Sequence, residues 1–216
     1  MIDLHGISQE SFDLIVASEV SSRAAYEKNY RRPERPGGQS GITIGIGYDC
    51  GYSDIDTIRK DWTGKIPDPM VDALCKVAGK KGTVAQANLA WIRPQVDVPW
   101  EAALDVFSNV SLPKYLKSTS VLPHFDELPP TCKGVLVSLV YNRGASFDAA
   151  GERYREMRNI KTRMGLRQFD RIPAELRSMK RLWITPSVRG VAIRRETEAR
   201  MFENALKKGV SNVAAN

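Results

Sequence analysis

The chain has 216 residues, 42% hydrophobic and 26% charged, the balance of a folded globular protein, which excludes global disorder. Lys and Arg number 32 against 25 acids, a net charge of +7, and that favours an anionic partner: nucleic acid, a membrane surface or an acidic wall polymer. Cys50, Cys75 and Cys132, with His5 and His124, lack metal-ligand spacing, so neither a metal nor a cofactor is expected; buried thiols are the default, and one disulfide stays open.

Residues 1–6 carry no basic segment followed by an apolar core, so no signal peptide is expected. No run is long and apolar enough to span a bilayer. The expectation is synthesis in the cytoplasm and export by some other agent. Ser8 is placed to cap a helix over Gln9–Ser21, with Glu10 and Asp13 near its positive end. Phe12, Ile15, Val16 and Glu19 fall at i, i+3, i+4 and i+7, one helix face. Glu19 thus continues an apolar stripe. Burial disfavours a carboxylate's charged form, which suits a general acid. The plainer reading is a Glu at the stripe's edge, paired with Arg23 or Lys28.

Pro and Gly make residues 31–41 a turn-rich loop. A strand is predicted over 42–48. Ile42, Ile44, Ile46 and Tyr48 share one parity; Thr43, Gly45, Gly47 and, by extension, Asp49 share the other. One face is bulky, the other nearly bare between a hydroxyl and a carboxylate. Glycine in a strand often marks a close approach to the backbone. Thr43 alone is an ordinary strand residue, and Asp49 alone is an ordinary strand terminator. Together with Glu19 they form two acids and a hydroxyl that can face one groove, the requirement for glycosidic hydrolysis.

Beyond Asp54 the pattern is helical. Val71, Leu74, Cys75 and Ala78 make a stripe ending at Gly79 or Gly82, and Thr83 is the expected cap of a helix through Trp91. Pro99 suits the start of a helix with Trp100, Leu104 and Phe107. Pro129-Pro130-Thr131 introduces a helix with Val135, Leu136, Leu139 and Val140, stopped at Gly144 and apolar on most sides, hence central and buried. Further helices are expected near 151–164, 173–182 and 189–208. The acids among Asp49, Ser53, Asp54, Asp56 and Asp61 lack the spacing and closing Glu of a calcium loop. No basic-aromatic stripe supports nucleic-acid binding.

The run Gly41-Ile42-Thr43-Ile44-Gly45-Ile46-Gly47-Tyr48-Asp49, with Glu19 upstream, resembles the phage-type lysozyme superfamily, and most of all its pesticin-like branch of muramidases. Leu136–Gly144 is similar to that superfamily's central helix with its polar end. Trp183 and Arg189–Arg195 resemble its C-terminal tryptophan and arginine-rich helix. The resemblance implies a lysozyme-like α+β fold, mainly helical. It would be a single catalytic domain over 1–216, with a small β-containing lobe (about 1–65) and a larger helical lobe (about 66–216).

The resemblance also implies hydrolysis of the β-1,4 bond between N-acetylmuramic acid and N-acetylglucosamine in peptidoglycan. Glu19 would be the acid and Thr43 would place the attacking water. Asp49 would be the second carboxylate, preferred to Glu34 of the preceding loop, because in the pesticin-like branch that Asp follows the strand. Tyr48 and Gly45 would shape the groove. Asn142, Arg143 and Arg189 would meet the glycan; capping and a solvated helix end are their plainer roles. Arg194 and Arg195 are read likewise, as steering anionic glycan or as part of a solvated end. Inversion is the implied outcome. The action would fall in the periplasm or wall of a target or host bacterium, reached by phage lysis or secretion machinery, and a toxin would have an immunity protein. The alternative is a glycan-binding module that no longer cuts.

Overall fold

A serine hydroxyl opens each of the first two helices. The computed structural model describes residues 2–185 and 189–213. The Ser8 hydroxyl accepts the Ser11 N–H at 3.2 Å and opens α1 (Gln9–Val20). Ser21, at φ 63, stops it. Ser22 then caps α2 (Arg23–Asn29) by accepting the Ala25 N–H at 3.1 Å. After the hairpin β1 (Thr43–Ile44) and β2 (Tyr48–Asp49) come α3 (Ile55–Trp62), α4 (Asp68–Cys75) and α5 (Gly82–Ile92). Next are α6 (Trp100–Val106), a π-helical stretch Phe107–Ser111, and α7 (Leu112–Thr119). The series ends with α8 (Pro130–Arg143), α9 (Arg155–Gly165), α10 (Ile172–Ser178) and α11 (Arg189–Val213). The fold is therefore mainly helical with one small sheet, consistent with the α+β lysozyme-like architecture expected. Among the described residues no helix is long and apolar enough to cross a membrane.

The chain forms two units. The first is Val16–Pro113 with the first residues of the chain; the second is Leu4–Ile15 with the chain from Lys114 onward. The sequence division near residue 65 lies well inside the first of these.

In the first unit, Tyr26 is fully buried and donates its hydroxyl to the Val98 carbonyl at 2.9 Å. Val98 N–H in turn reaches the Arg31 carbonyl at 2.8 Å. These bonds tie the end of α2 to the segment before α6. Trp62 at the end of α3 and Ile42, Ile44, Ile46 and Tyr48 of the hairpin are core residues. Tyr48 and Trp62 pack edge to face, with ring centroids 5.3 Å apart.

In the second unit α8 is the buried axis, with Cys132 and Gly134–Val140 out of solvent. It packs against α11, and α11 against α10. Gly134 is glycine because a Cβ there would strike Ser11 of α1. A helix that is apolar all round can only be interior, so this expectation from sequence holds.

Two details differ from the sequence reading. The continuous strand expected over 42–48 is a hairpin: Gly45 and Gly47, at φ 59 and 72, form a three-residue turn that reverses the chain. Only glycine adopts such angles without strain. In addition, α5 begins at Gly82 with Lys81 before it and no side-chain cap, so Thr83 lies inside the helix. All three cysteines are buried free thiols. Burial raises the Cys132 thiol to about 12, which makes it an unreactive core residue.

A buried carboxylate anchors α9 within the second unit. Glu156 on α9 is almost wholly buried. Burial is the strongest single influence and acts to raise its pKa. Arg181, Ser178, a backbone N–H and Arg155 together outweigh it and hold the carboxyl at about 2. Arg181 approaches with two contacts of 2.8 and 3.0 Å. Because the folded value lies below the unfolded one, this stabilisation is present above about pH 4.5 and is lost as pH falls towards 2. Acid unfolding monitored by circular dichroism should therefore show Glu156→Gln destabilised relative to wild type at pH 7, with the difference shrinking steadily below pH 4.

Candidate active site

The hairpin register decides the geometry. Thr43 pairs with Asp49 and Ile44 with Tyr48, antiparallel. Directly opposed residues project to the same face, with Cβ atoms about 4.5–5.5 Å apart. Thr43 and Asp49 therefore stand side by side, on the face opposite buried Ile44 and Tyr48. The loop residue Glu34 forms an isolated antiparallel bridge on the other side of Thr43. Its N–H reaches the Thr43 carbonyl at 2.9 Å, and the Thr43 N–H reaches the Glu34 carbonyl at 2.8 Å. The result is a row, Glu34–Thr43–Asp49, with a hydroxyl flanked by two carboxylate residues.

Asp49 is held in place. Its Oδ1 accepts the Gly51 N–H at 2.8 Å. The Gly41 N–H lies 3.0 Å from Oδ1 and 3.1 Å from Oδ2. Two backbone donors orient the carboxylate, and Oδ2 keeps acceptor capacity for a further partner. The close approach explains Gly41: a Cβ there would meet Asp49 Oδ1 and the Gly51 backbone, each at 2.5 Å. Gly41→Ala should cost about 1–3 kcal/mol through overpacking and displace Asp49 from Thr43. Thermal melts of the variant beside wild type check the stability cost.

The Thr43 hydroxyl is half-buried and has no hydrogen-bond partner among the described residues. Glu34 faces a cation, its Oε1 lying 3.7 Å from Arg93 Nη1. Glu19 occupies the last turn of α1, half-buried, beside core residues Val16 and Val20. It belongs to the same unit as Glu34, Thr43 and Asp49. Arg23, one of its two candidate partners from sequence, forms an ion pair with Glu101.

The other predicted residues fall differently. Tyr48 is on the core side, its hydroxyl donated to buried Asp61 at 2.9 Å. Burial leads the influences that raise its pKa. It braces the hairpin from behind instead of lining an exposed surface. Gly45 is buried in the turn, where an added Cβ would lie 3.3 Å from Trp62. Asn142, Arg143 and Arg189 belong to the second unit. Asn142 is exposed near the end of α8, and Arg189 is exposed at the start of α11. Arg143 turns towards its own unit: Nη2 donates to the Arg153 carbonyl at 2.8 Å, and the guanidinium lies 5.2 Å from the Trp183 ring centre.

Arg194 and Arg195 correct the sequence reading. Neither lies at a solvated helix end. Both are buried, with Glu198 and Ser138. Glu198 Oε1 accepts from Ser138 at 2.6 Å and from Arg195 at 2.8 Å. Arg194 donates to the Ser138 hydroxyl at 3.1 Å. Desolvation pushes Glu198 up and lowers Arg195 to about 10, each opposed by the other's charge. The helical spacing i, i+3 and i, i+4 was visible in the sequence; the burial that makes it a core network was not.

Sequence reasoning also missed the roles of Gly41, Gly51 and Arg93. Gly41 is part of the motif, but nothing in a sequence says which backbone amides will meet a carboxylate eight residues away. Among the described residues no group of three or more His, Cys, Asp or Glu could hold a metal ion.

No curated protein matches the chain. A family model described as Pesticin, "Bacterial toxin homologue of phage lysozyme, C-term", matches residues 11–159, a span that includes Glu19, the whole hairpin and α8. With about two thirds of its length matched, the chain belongs to the Pesticin family of phage lysozyme homologues.

Proposed function

We propose that this protein is a muramidase that hydrolyses the β-1,4 bond between N-acetylmuramic acid and N-acetylglucosamine in peptidoglycan. Family membership supports a muramidase-type or toxin function in general terms. The observation that carries the specific reading is the Thr43–Asp49 register. A hydroxyl without a partner among the described residues stands beside a carboxylate whose orientation two backbone amides hold. That pair can bind a water between them, with Thr43 as positioner and Asp49 as base. Glu19, half-buried in the same unit, is the proton donor to the leaving oxygen. Asp49 is preferred to Glu34 because Glu34 already faces Arg93. No metal enters this scheme.

As an antibacterial toxin or a phage endolysin, the protein would act on the wall of a target or host bacterium. It would be carried there by secretion or lysis machinery, and a toxin would be paired with an immunity protein in its producer. Mass analysis of peptidoglycan digested by the purified protein tests the chemistry. N-acetylmuramic acid reducing ends are the expected product. Anhydro ends would make it a transglycosylase, N-acetylglucosamine ends a glucosaminidase, and binding without cleavage a wall-binding module.

A further inference from the structure

One concave site lies beside the Glu34–Thr43–Asp49 row and takes no part in the chemistry above. It encloses about 370 Å³ and is lined by Lys28, Arg31, Arg32, Arg93, Glu27 and Asp97, with Asn29. Four cations face two carboxylates, so it carries two net positive charges. The carboxylates are committed: Arg31 donates to Asp97 at 2.6 Å and to Glu27 at 3.0 Å. Arg93 leans towards Pro33 and Glu34, with Nη1 3.2 Å from the Pro33 carbonyl. Lys28 and Arg32 are exposed and have no ion pair or hydrogen bond among the described residues. Two cations without partners in a concave wall, braced by a third that is already paired, form an anion receptor and not a scattered surface charge.

Its position gives it a meaning. Arg32 precedes Glu34 by two residues, at most about 7 Å of chain. Glu34 is the direct bridge partner of Thr43, about 5.5 Å away between Cα atoms. Arg32 thus lies within roughly 13 Å of the residue assigned to the attacking water. Arg93 touches both features. A ligand whose sugar sits at Thr43 can reach this site with a short, flexible, acidic branch.

Building on the muramidase reading, we propose that this basic site binds the carboxylates of the peptide stem carried by the muramic acid residue being cleaved. The glycan backbone is nearly neutral, while the stem supplies several carboxylates on a branch from the sugar whose bond is cut. Lys28 and Arg32 capture them, and Arg31 and Arg93 shape the receptor. The site makes the enzyme prefer stem-bearing glycan to bare glycan.

The test uses the full chain and its Lys28→Gln/Arg32→Gln variant on two glycans free of teichoic acid. One keeps its stems; the other has them removed by an amidase. The variant should raise KM about three- to tenfold on stem-bearing glycan, as expected for two exposed ion pairs. It should leave kcat unchanged and shift KM much less on the stripped glycan, which keeps a lactyl carboxylate but no stem, and the difference should fade at high salt. Equal effects on both glycans, or none on either, would overturn the proposal. Calorimetry with an N-acetylated stem pentapeptide separates the two readings. Binding by wild type that the variant loses keeps the receptor even if no glycan is cut, in which case the muramidase reading alone falls. Cleavage of both glycans at equal efficiency, without pentapeptide binding, removes the receptor and keeps the muramidase.

Discussion

Glu19→Gln is expected to lower the rate of wall hydrolysis by about 10²- to 10⁴-fold, the usual contribution of a positioned general acid. The substitution keeps shape and hydrogen-bonding capacity but removes the transferable proton. Glu19 lies at the half-buried edge of α1 and not in its core, so the melting temperature should stay close to wild type. The companion substitution Asp49→Asn should behave differently. An amide in place of the carboxylate can turn an NH₂ towards the Gly41 or Gly51 N–H groups that now donate to Asp49. Activity and stability should both fall. Hydrolysis of purified sacculi, measured beside a thermal melt, distinguishes the two patterns. A Glu19→Gln protein that lyses walls at the wild-type rate would remove Glu19 from the mechanism.

The largest effect on stability is expected at Glu198. Glu198→Ala leaves Arg195 buried without its carboxylate partner, takes the same carboxylate away from Arg194 and removes the acceptor of the Ser138 hydroxyl. Breaking a buried pair in this way costs about 3–5 kcal/mol. For a chain of this size that is a fall of roughly 10 °C or more in the melting temperature. The network is already imperfect, since Glu198 Oε2 and two nitrogens of Arg195 have no hydrogen-bond partner among the described residues. Its worth therefore lies in what is lost when one member goes, and not in the net gain from having it. Replacing the charged members together with Met and Leu of similar volume should recover most of the loss. Calorimetric melts of the single and combined variants measure this directly.

Much of the helical framework could be read before any coordinates. The Ser8 cap, the Phe12–Ile15–Val16 stripe and the all-apolar α8 are local or periodic features, and such features follow from propensity and spacing over a few turns. The bulky parity of Ile42, Ile44, Ile46 and Tyr48 marked a buried face correctly, although the chain turns back on itself at Gly45–Gly47. The glycines that looked like an opening in a strand are there for their positive φ. Parity is blind to that difference, because a three-residue turn preserves alternation on either side of it.

By itself, the sequence determined that this is a mainly helical protein with a small β element, and it singled out Glu19, Thr43 and Asp49 as the candidate acid, hydroxyl and second acid. Only the tertiary structure decided which residues stand together. The hairpin register sets Thr43 beside Asp49, and the loop bridge brings Glu34 to the other flank. Burial turned Tyr48 into a brace and made Arg194 and Arg195 a core network. The reason is physical: helix and strand patterns arise from neighbours in the chain, while register, burial and the aim of a side chain depend on contacts between residues far apart in it.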